Sequence, residues 1–194
     1  MNLIDFDGTI IDLWPRYCAV FNYLLKSNIE LSEYKTAKQK LQRDSLVADY
    51  FGLTLSEDYF SMKAIALEDP IFLELDILLF DSIVLNKVLS KNFCILSHRR
   101  NPESFYLELS RLNIKCDAVV VNSKSKKQWA IDSGAHIDRI IGDSIQDLEV
   151  GSIPGVEAWM TGYGLGTREQ FDSANIIYRY VENAQNLMEL LQQI

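Results

Sequence analysis

Cysteine is scarce in this chain. Cys18, Cys94 and Cys116 are three in number and far apart. No pair has metal-ligand spacing, and the odd, scattered set does not make a disulfide framework, so the expectation is reduced thiols in a cytoplasmic protein. Long hydrophobic runs are missing too. No stretch reaches the length of a membrane span, and Asp5 and Asp7 interrupt the apolar start where an export signal would need to continue. Positive charge is in deficit: 19 Lys and Arg stand against 27 Asp and Glu, a net charge of −8. That surface repels a phosphate backbone, which argues against nucleic acid as a partner. It also means that a site for a small anion must supply its own positive charge. Glycine is sparse, and Gly162, Gly164 and Gly166 lack the third spaced glycine of a dinucleotide cradle, because Thr167 stands there. They read as a turn able to approach a site closely.

The 194 residues, 48% hydrophobic, suffice for one sizeable core, or a core with an accessory lobe. Residues 2–6 read as a buried strand. From 13 to about 80 the chain reads as helix after helix: one starting at Trp14-Pro15, one from Ser32-Glu33 to Phe51-Gly52, then starts at Ser56-Glu57-Asp58, Asp69-Pro70 and Asp81-Ser82. After residue 90 apolar runs alternate with helical stretches. Phe93–Leu96, Ala118–Val121, Arg139–Ile141 and Val156–Met160 are strands, Ile176–Tyr178 is an edge strand, and a helix with Ala184, Leu187, Met188 and Leu191 on one face closes the chain. The fold class is therefore α/β, a Rossmann-like parallel sheet with helices on both faces.

In such sheets ligands bind beyond the carboxyl ends of the strands, and the polar residues of this sequence cluster there. Asp5 and Asp7 end the first strand and, with the period-two alternation of strand side chains, fall on one side with Phe6 opposite. Ser97 ends the second strand. A basic segment, Lys124, Lys126 and Lys127, follows the third. Asp143 ends the fourth, with Asp147 four residues on. Two carboxylates held this close repel unless a cation sits between them, and an oxygen-only ligand set suits magnesium. A carboxylate nucleophile, a hard cation, a hydroxyl and an ammonium are together equipped to move a phosphoryl group.

The string Asp5-Phe6-Asp7-Gly8-Thr9-Ile10, a strand ending in Ser97, a lysine, and Gly142-Asp143-Ser144-Ile145-Gln146-Asp147 resemble the motifs of the haloacid dehalogenase-like superfamily. The resemblance covers roughly 1–12 and 85–180. It implies a core domain of 1–12 and 85–194 and a helical cap domain of 13–84. It further implies a magnesium-dependent phosphatase that hydrolyses a small phosphorylated metabolite. In that scheme Asp5 attacks phosphorus and becomes an aspartyl-phosphate, and Asp7 is the general acid and base. Magnesium is held by Asp5, the backbone carbonyl of Asp7, and Asp143. Ser97 and a lysine bind the phosphoryl group, with Gly8 and His98 beside it, and Asp147 supports the metal or the lysine from behind. Lys127 is the expected lysine, because it begins a helix with Ala130-Ile131 next on the buried side; Lys124 and Lys126 are the alternatives. His98, Arg99 and Arg100 are candidates for a second anionic group on the substrate, and Asp12 and Arg16 for the entrance. Dehalogenases of the superfamily lack the second aspartate, since halide needs no proton, so Asp7 favours phosphoryl transfer. A phosphomutase would use the same motifs, and a non-catalytic phospho-acceptor or binding protein is the alternative of another class. Oligomeric state is not legible in this chain.

Overall fold

The computed structural model describes residues 1–194 and divides into two compact units, residues 1–12 with 77–194, and residues 13–76. The first unit opens with β1 (Asn2–Ile4) and β2 (Ile11–Asp12). The second unit holds α1 (Trp14–Leu25), α2 (Leu31–Leu41), α3 (Asp44–Tyr50), α4 (Tyr59–Ala66) and α5 (Pro70–Leu73). The chain then re-enters the first unit through β3 (Ile77–Leu78), α6 (Ser82–Leu89), β4 (Phe93–Ser97), α7 (Pro102–Arg111), β5 (Asp117–Val120) and α8 (Lys126–Asp132). It finishes with β6 (Arg139–Gly142), α9 (Ile145–Val150), β7 (Glu157–Thr161), α10 (Arg168–Ser173), β8 (Arg179–Val181) and α11 (Ala184–Gln192). No helix is long and apolar enough to cross a membrane.

Six strands form one parallel sheet in the order β5-β4-β1-β6-β7-β8. The order reverses at β1, so the chain's first strand lies at the switch point where the loops of its two neighbours part. Alternate residues feed two cores. Ile4, Ile95, Ile141 and Trp159 pack with Leu85, Leu89, Phe105, Leu109, Leu187 and Leu191 of α6, α7 and α11. Leu3, Cys94, Leu96, Ile140, Ala158 and Met160 pack with Ala130, Leu148 and Phe171 of α8, α9 and α10. Both faces being covered, the strands are continuous apolar runs rather than alternating ones. Helix starts follow the sequence closely: Asp81 accepts from the amides of Ile83 and Val84, Asn101 from those of Glu103 and Ser104, and Asn183 from that of Asn186.

Three boundaries and the place of one arginine differ from the sequence reading. The return to the first unit comes at Ile77 rather than 85, because β2 and β3 form an antiparallel pair, Ile11 with Leu78 and Asp12 with Ile77. The helix expected from Ser32 to Phe51 is two, broken where Gln42 adopts a left-handed φ of 64° and Arg43 is extended. The edge strand is Arg179–Val181, not Ile176–Tyr178, and Ile177 is exposed. Arg16 is spent inside the helical unit, where its Nη1 donates to the Leu67 carbonyl at 3.0 Å and its Nε lies 3.2 Å from Asp76.

Candidate active site

The site is built on the parity of β1. Leu3 faces the α8–α9 side of the sheet, so Asp5, two residues on, faces it as well. The ladder carries on to that residue, since the Asp5 amide donates to the Ile141 carbonyl at 2.7 Å. The last registered pairs are Ile4 with Ile95 and Ile4 with Ile141. Ser97 and Asp143 therefore both lie two residues beyond them, on either flank of Asp5-Phe6-Asp7.

Lys126 is buried, and its Nζ lies 2.6 Å from Asp5 Oδ1 and 2.6 Å from Asp147 Oδ1. The sequence expectation of Lys127 is thus corrected by one residue. Helix α8 is capped by Ser125, and its buried stripe runs Lys126, Ala130, while Ile131 is 54% exposed. Counting Ile131 as buried turned the helix by one position. Lys127 is half-buried and is not a partner of Asp5 or Asp147, and Lys124 pairs at the surface with Asp132 at 2.7 Å.

Asp147 is fully committed. Its second oxygen accepts from the Ser144 amide at 3.1 Å and the Ser144 hydroxyl at 2.6 Å, closing a capping box at the start of α9. Its close seating requires Gly142, where an added Cβ would meet the Asp147 carboxyl carbon at 2.2 Å. Asp143 is held from the other side by the Leu165 amide, 2.6 Å from Oδ2, and a Cβ on Gly164 would stand 2.1 Å from that same oxygen. The glycine-rich turn after β7 is therefore a backbone support for a carboxylate.

Oxygens of Asp5, Asp143 and Asp147 lie within 4.8 Å of one another, all three residues buried. Burial, reinforced by Asp147 and Asp7, raises the Asp5 pKa from 3.8 to about 7 against the pull of Lys126. Burial, with Asp5 and Asp147, raises that of Asp143 well above the carboxylate range. Burial works against the charged form of Lys126, but Asp147 and Asp5 outweigh it and its pKa rises. Three carboxylates against one ammonium leave a surplus of negative charge in a dry place. An all-oxygen set of this kind fits a small divalent cation, which would relieve the repulsion that helps to raise these pKa values. Because Asp147 is engaged on both oxygens, Asp5 and Asp143 are the side chains available to such an ion.

Ser97 Oγ is buried and has no hydrogen-bond partner, which leaves its donor available to a bound anion. Gly8 is in the left-handed region, φ 77°, and its amide is already taken by the Ile11 carbonyl at 3.0 Å. Its part here is the turn, and the place beside the phosphoryl group expected of Gly8 gains no free amide from it. His98 is exposed, with Nδ1 2.8 Å from Gln146 Oε1. Arg100 is exposed, whereas Arg99 is buried and grips Asp7 through two hydrogen bonds. A second-anion role for Arg99 is thereby corrected. The only sequence signal for its real place was its position two residues after the strand-ending serine.

The architecture matches solved structures along nearly the whole chain. A haloacid dehalogenase-like family hydrolase from Streptococcus pneumoniae superposes with a TM-score of 0.69 at 17% identity, covering 99% of this chain and 97% of that one. A predicted phosphatase from Clostridium acetobutylicum gives 0.65 at 17%, covering 99% and 97%. A HAD family hydrolase from Deinococcus radiodurans, solved with bound phosphate and sodium, gives 0.64 at 13%, covering 98% and 94%. No protein-family model matches the sequence, and no curated protein matches it. The fold is that of the haloacid dehalogenase-like hydrolases.

Proposed function

We propose that this chain is a magnesium-dependent phosphatase that hydrolyses a small phosphorylated metabolite through an aspartyl-phosphate on Asp5. The observation that carries the reading is Asp5 itself: it is buried at the end of the switch-point strand, fixed by Lys126, and faces Asp143 across a cluster with surplus negative charge. The fold of named phosphatases and hydrolases, one of them solved with phosphate, supports the same reading.

Asp5 Oδ1 is tied to Lys126, which presents the carboxylate in one orientation. Attack by Asp5 forms a bond to phosphorus as the ester P–O bond breaks, and Asp7 gives its proton to the departing oxygen. Asp7 then takes a proton from a water that attacks phosphorus, the bond to Asp5 breaks, and orthophosphate leaves. Ser97 Oγ and Lys126 Nζ donate to the phosphoryl oxygens, where charge accumulates. Asp5, Asp143 and the Asp7 carbonyl would hold magnesium, which supplies charge neutralisation for an incoming dianion. Asp147 fixes Lys126 from behind and keeps it protonated. Residues 13–76 are the helical cap of this reading, to which it assigns the choice of substrate.

Orthophosphate release from a panel of phosphorylated metabolites, with magnesium and after exhaustive chelation, tests the proposal. Release from at least one small monoester is expected, falling at least about 10²-fold on chelation and returning with magnesium, since metal charge stabilisation is worth several kcal/mol. Turnover unaffected by chelation would contradict the metal's role.

A further inference from the structure

We propose that Arg99 is the positioning residue for Asp7, its guanidinium dictating the plane in which the Asp7 carboxyl meets the leaving group. The inference rests on the phosphatase reading and adds to it a residue that acts through Asp7 rather than on the substrate.

The grip is two-pronged. Arg99 Nε donates to Asp7 Oδ2 at 2.8 Å and Nη2 to Asp7 Oδ1 at 2.7 Å. This parallel pairing fixes orientation as well as distance, and it leaves each oxygen a second lone pair facing away from the guanidinium, where the transferred proton is carried. The guanidinium is itself immobilised. Nη1 donates to Glu108 on α7, and the guanidinium carbon lies 5.1 Å from the Phe6 ring centre and 5.5 Å from that of Phe105. Those rings meet edge to face at 5.2 Å, and both are fully buried. Arg99 thus draws on three elements, the end of β4, α7 and the turn after β1, and passes their rigidity to one carboxylate.

A purely structural account would have Arg99 neutralise Glu108, whose side chain is 1% exposed. It does not explain why the other two donors close on Asp7, the more exposed acid at 18%, at the mouth of the strand. Phe6, between the two acids in sequence, supplies the platform for the guanidinium. The turn that separates Asp7 from Asp5 is therefore the same turn that hands Asp7 to Arg99. A lysine at 99 keeps the charge but gives a one-point contact, which lets the carboxyl rotate.

The experiment measures kcat and KM with magnesium on an alkyl phosphate and on p-nitrophenyl phosphate, for wild type, Arg99→Lys, Asp7→Asn and the double variant. Arg99→Lys is expected to lower kcat on the alkyl ester about 10²-fold, the cost of misplacing a catalytic group by about an ångström. It should lower kcat only a few-fold on the aryl ester, whose leaving group needs little protonation. KM should stay within about twofold, and the substitution should cost nothing further in the Asp7→Asn background. Equal losses on both esters, or the same loss repeated without Asp7, would overturn the assignment. Because Arg99→Lys can loosen the core, Arg99→Met with Glu108→Leu serves as a second variant. It removes the two buried charges together, and the partners they leave, Asp7 at 18% exposure and Arg111 at 38%, both reach solvent. Its melting temperature should be at least that of wild type and the alkyl-selective loss should persist; wild-type kcat on the alkyl ester would sink the proposal. If wild type turns over and Asp5→Asn does not, a negative result falls on Arg99 alone, whereas an inert wild type overturns both readings.

Discussion

Asp5→Asn is expected to lower phosphate release by a factor of at least about 10⁴ while leaving the fold intact. Losses of that size are typical when an enzyme's nucleophile is removed. The substitution keeps the size of the side chain and takes away the charge that attacks. Asp5 also accepts from Lys126, at 2.6 Å, and an amide oxygen can accept in its place. Lys126 retains Asp147 as its counter-ion, so no buried ammonium is left alone. Helical content and cooperative melting should therefore match wild type, and the defect should lie in kcat. Turnover within tenfold of wild type would remove Asp5 as the attacking group.

The second large effect separates two neighbouring lysines. Lys126→Met should cost about 10³-fold in turnover, because one group orients Asp5 and donates to the phosphoryl group. In metal-free protein it should also lower stability by about 3–5 kcal/mol, the usual cost of breaking a buried ion pair, or about 10 °C in melting temperature. Both acids it serves are buried, and its own side chain is 3% exposed. Lys127→Met should change activity by no more than a few-fold and stability by about 0.5 kcal/mol or less, as for a half-exposed side chain outside the cluster. Parallel steady-state kinetics and thermal melts of the two variants check this. Equal effects at 126 and 127, or the larger effect at 127, would contradict the site geometry.

What the sequence disclosed follows from which physical rules are local. The parallel sheet was legible because strands covered on both faces must be apolar throughout, as Phe93–Leu96 and Arg139–Ile141 show. The strand-end clusters were legible because the carboxyl ends of those strands are fixed in sequence. The glycine turn's close approach was foreseen, and it falls on Asp143 through Gly164 and Leu165. The lysine was missed by one residue because a helix start admits two adjacent faces, and only the packing of α8 distinguishes Lys126 with Ala130 from Lys127 with Ile131. The break at Gln42 carries no glycine or proline to announce it. The pairing of Ile11 with Leu78 joins residues far apart in sequence, and no local pattern marks it. Arg99 was misjudged for a similar reason. Loop arginines are usually solvated, and its burial depends on Glu108, Phe6 and Phe105 coming together from three places.

The central claim is that residue 5 carries the phosphoryl group during turnover. Rapid acid quenching of the enzyme with magnesium and a substrate that it hydrolyses, followed by peptide mass spectrometry, tests it most directly. The account predicts one added phosphoryl group on the peptide containing Asp5, present in wild type and absent in Asp5→Asn. A phosphoryl group on another residue, or sustained turnover with Asp5 never modified, would contradict it.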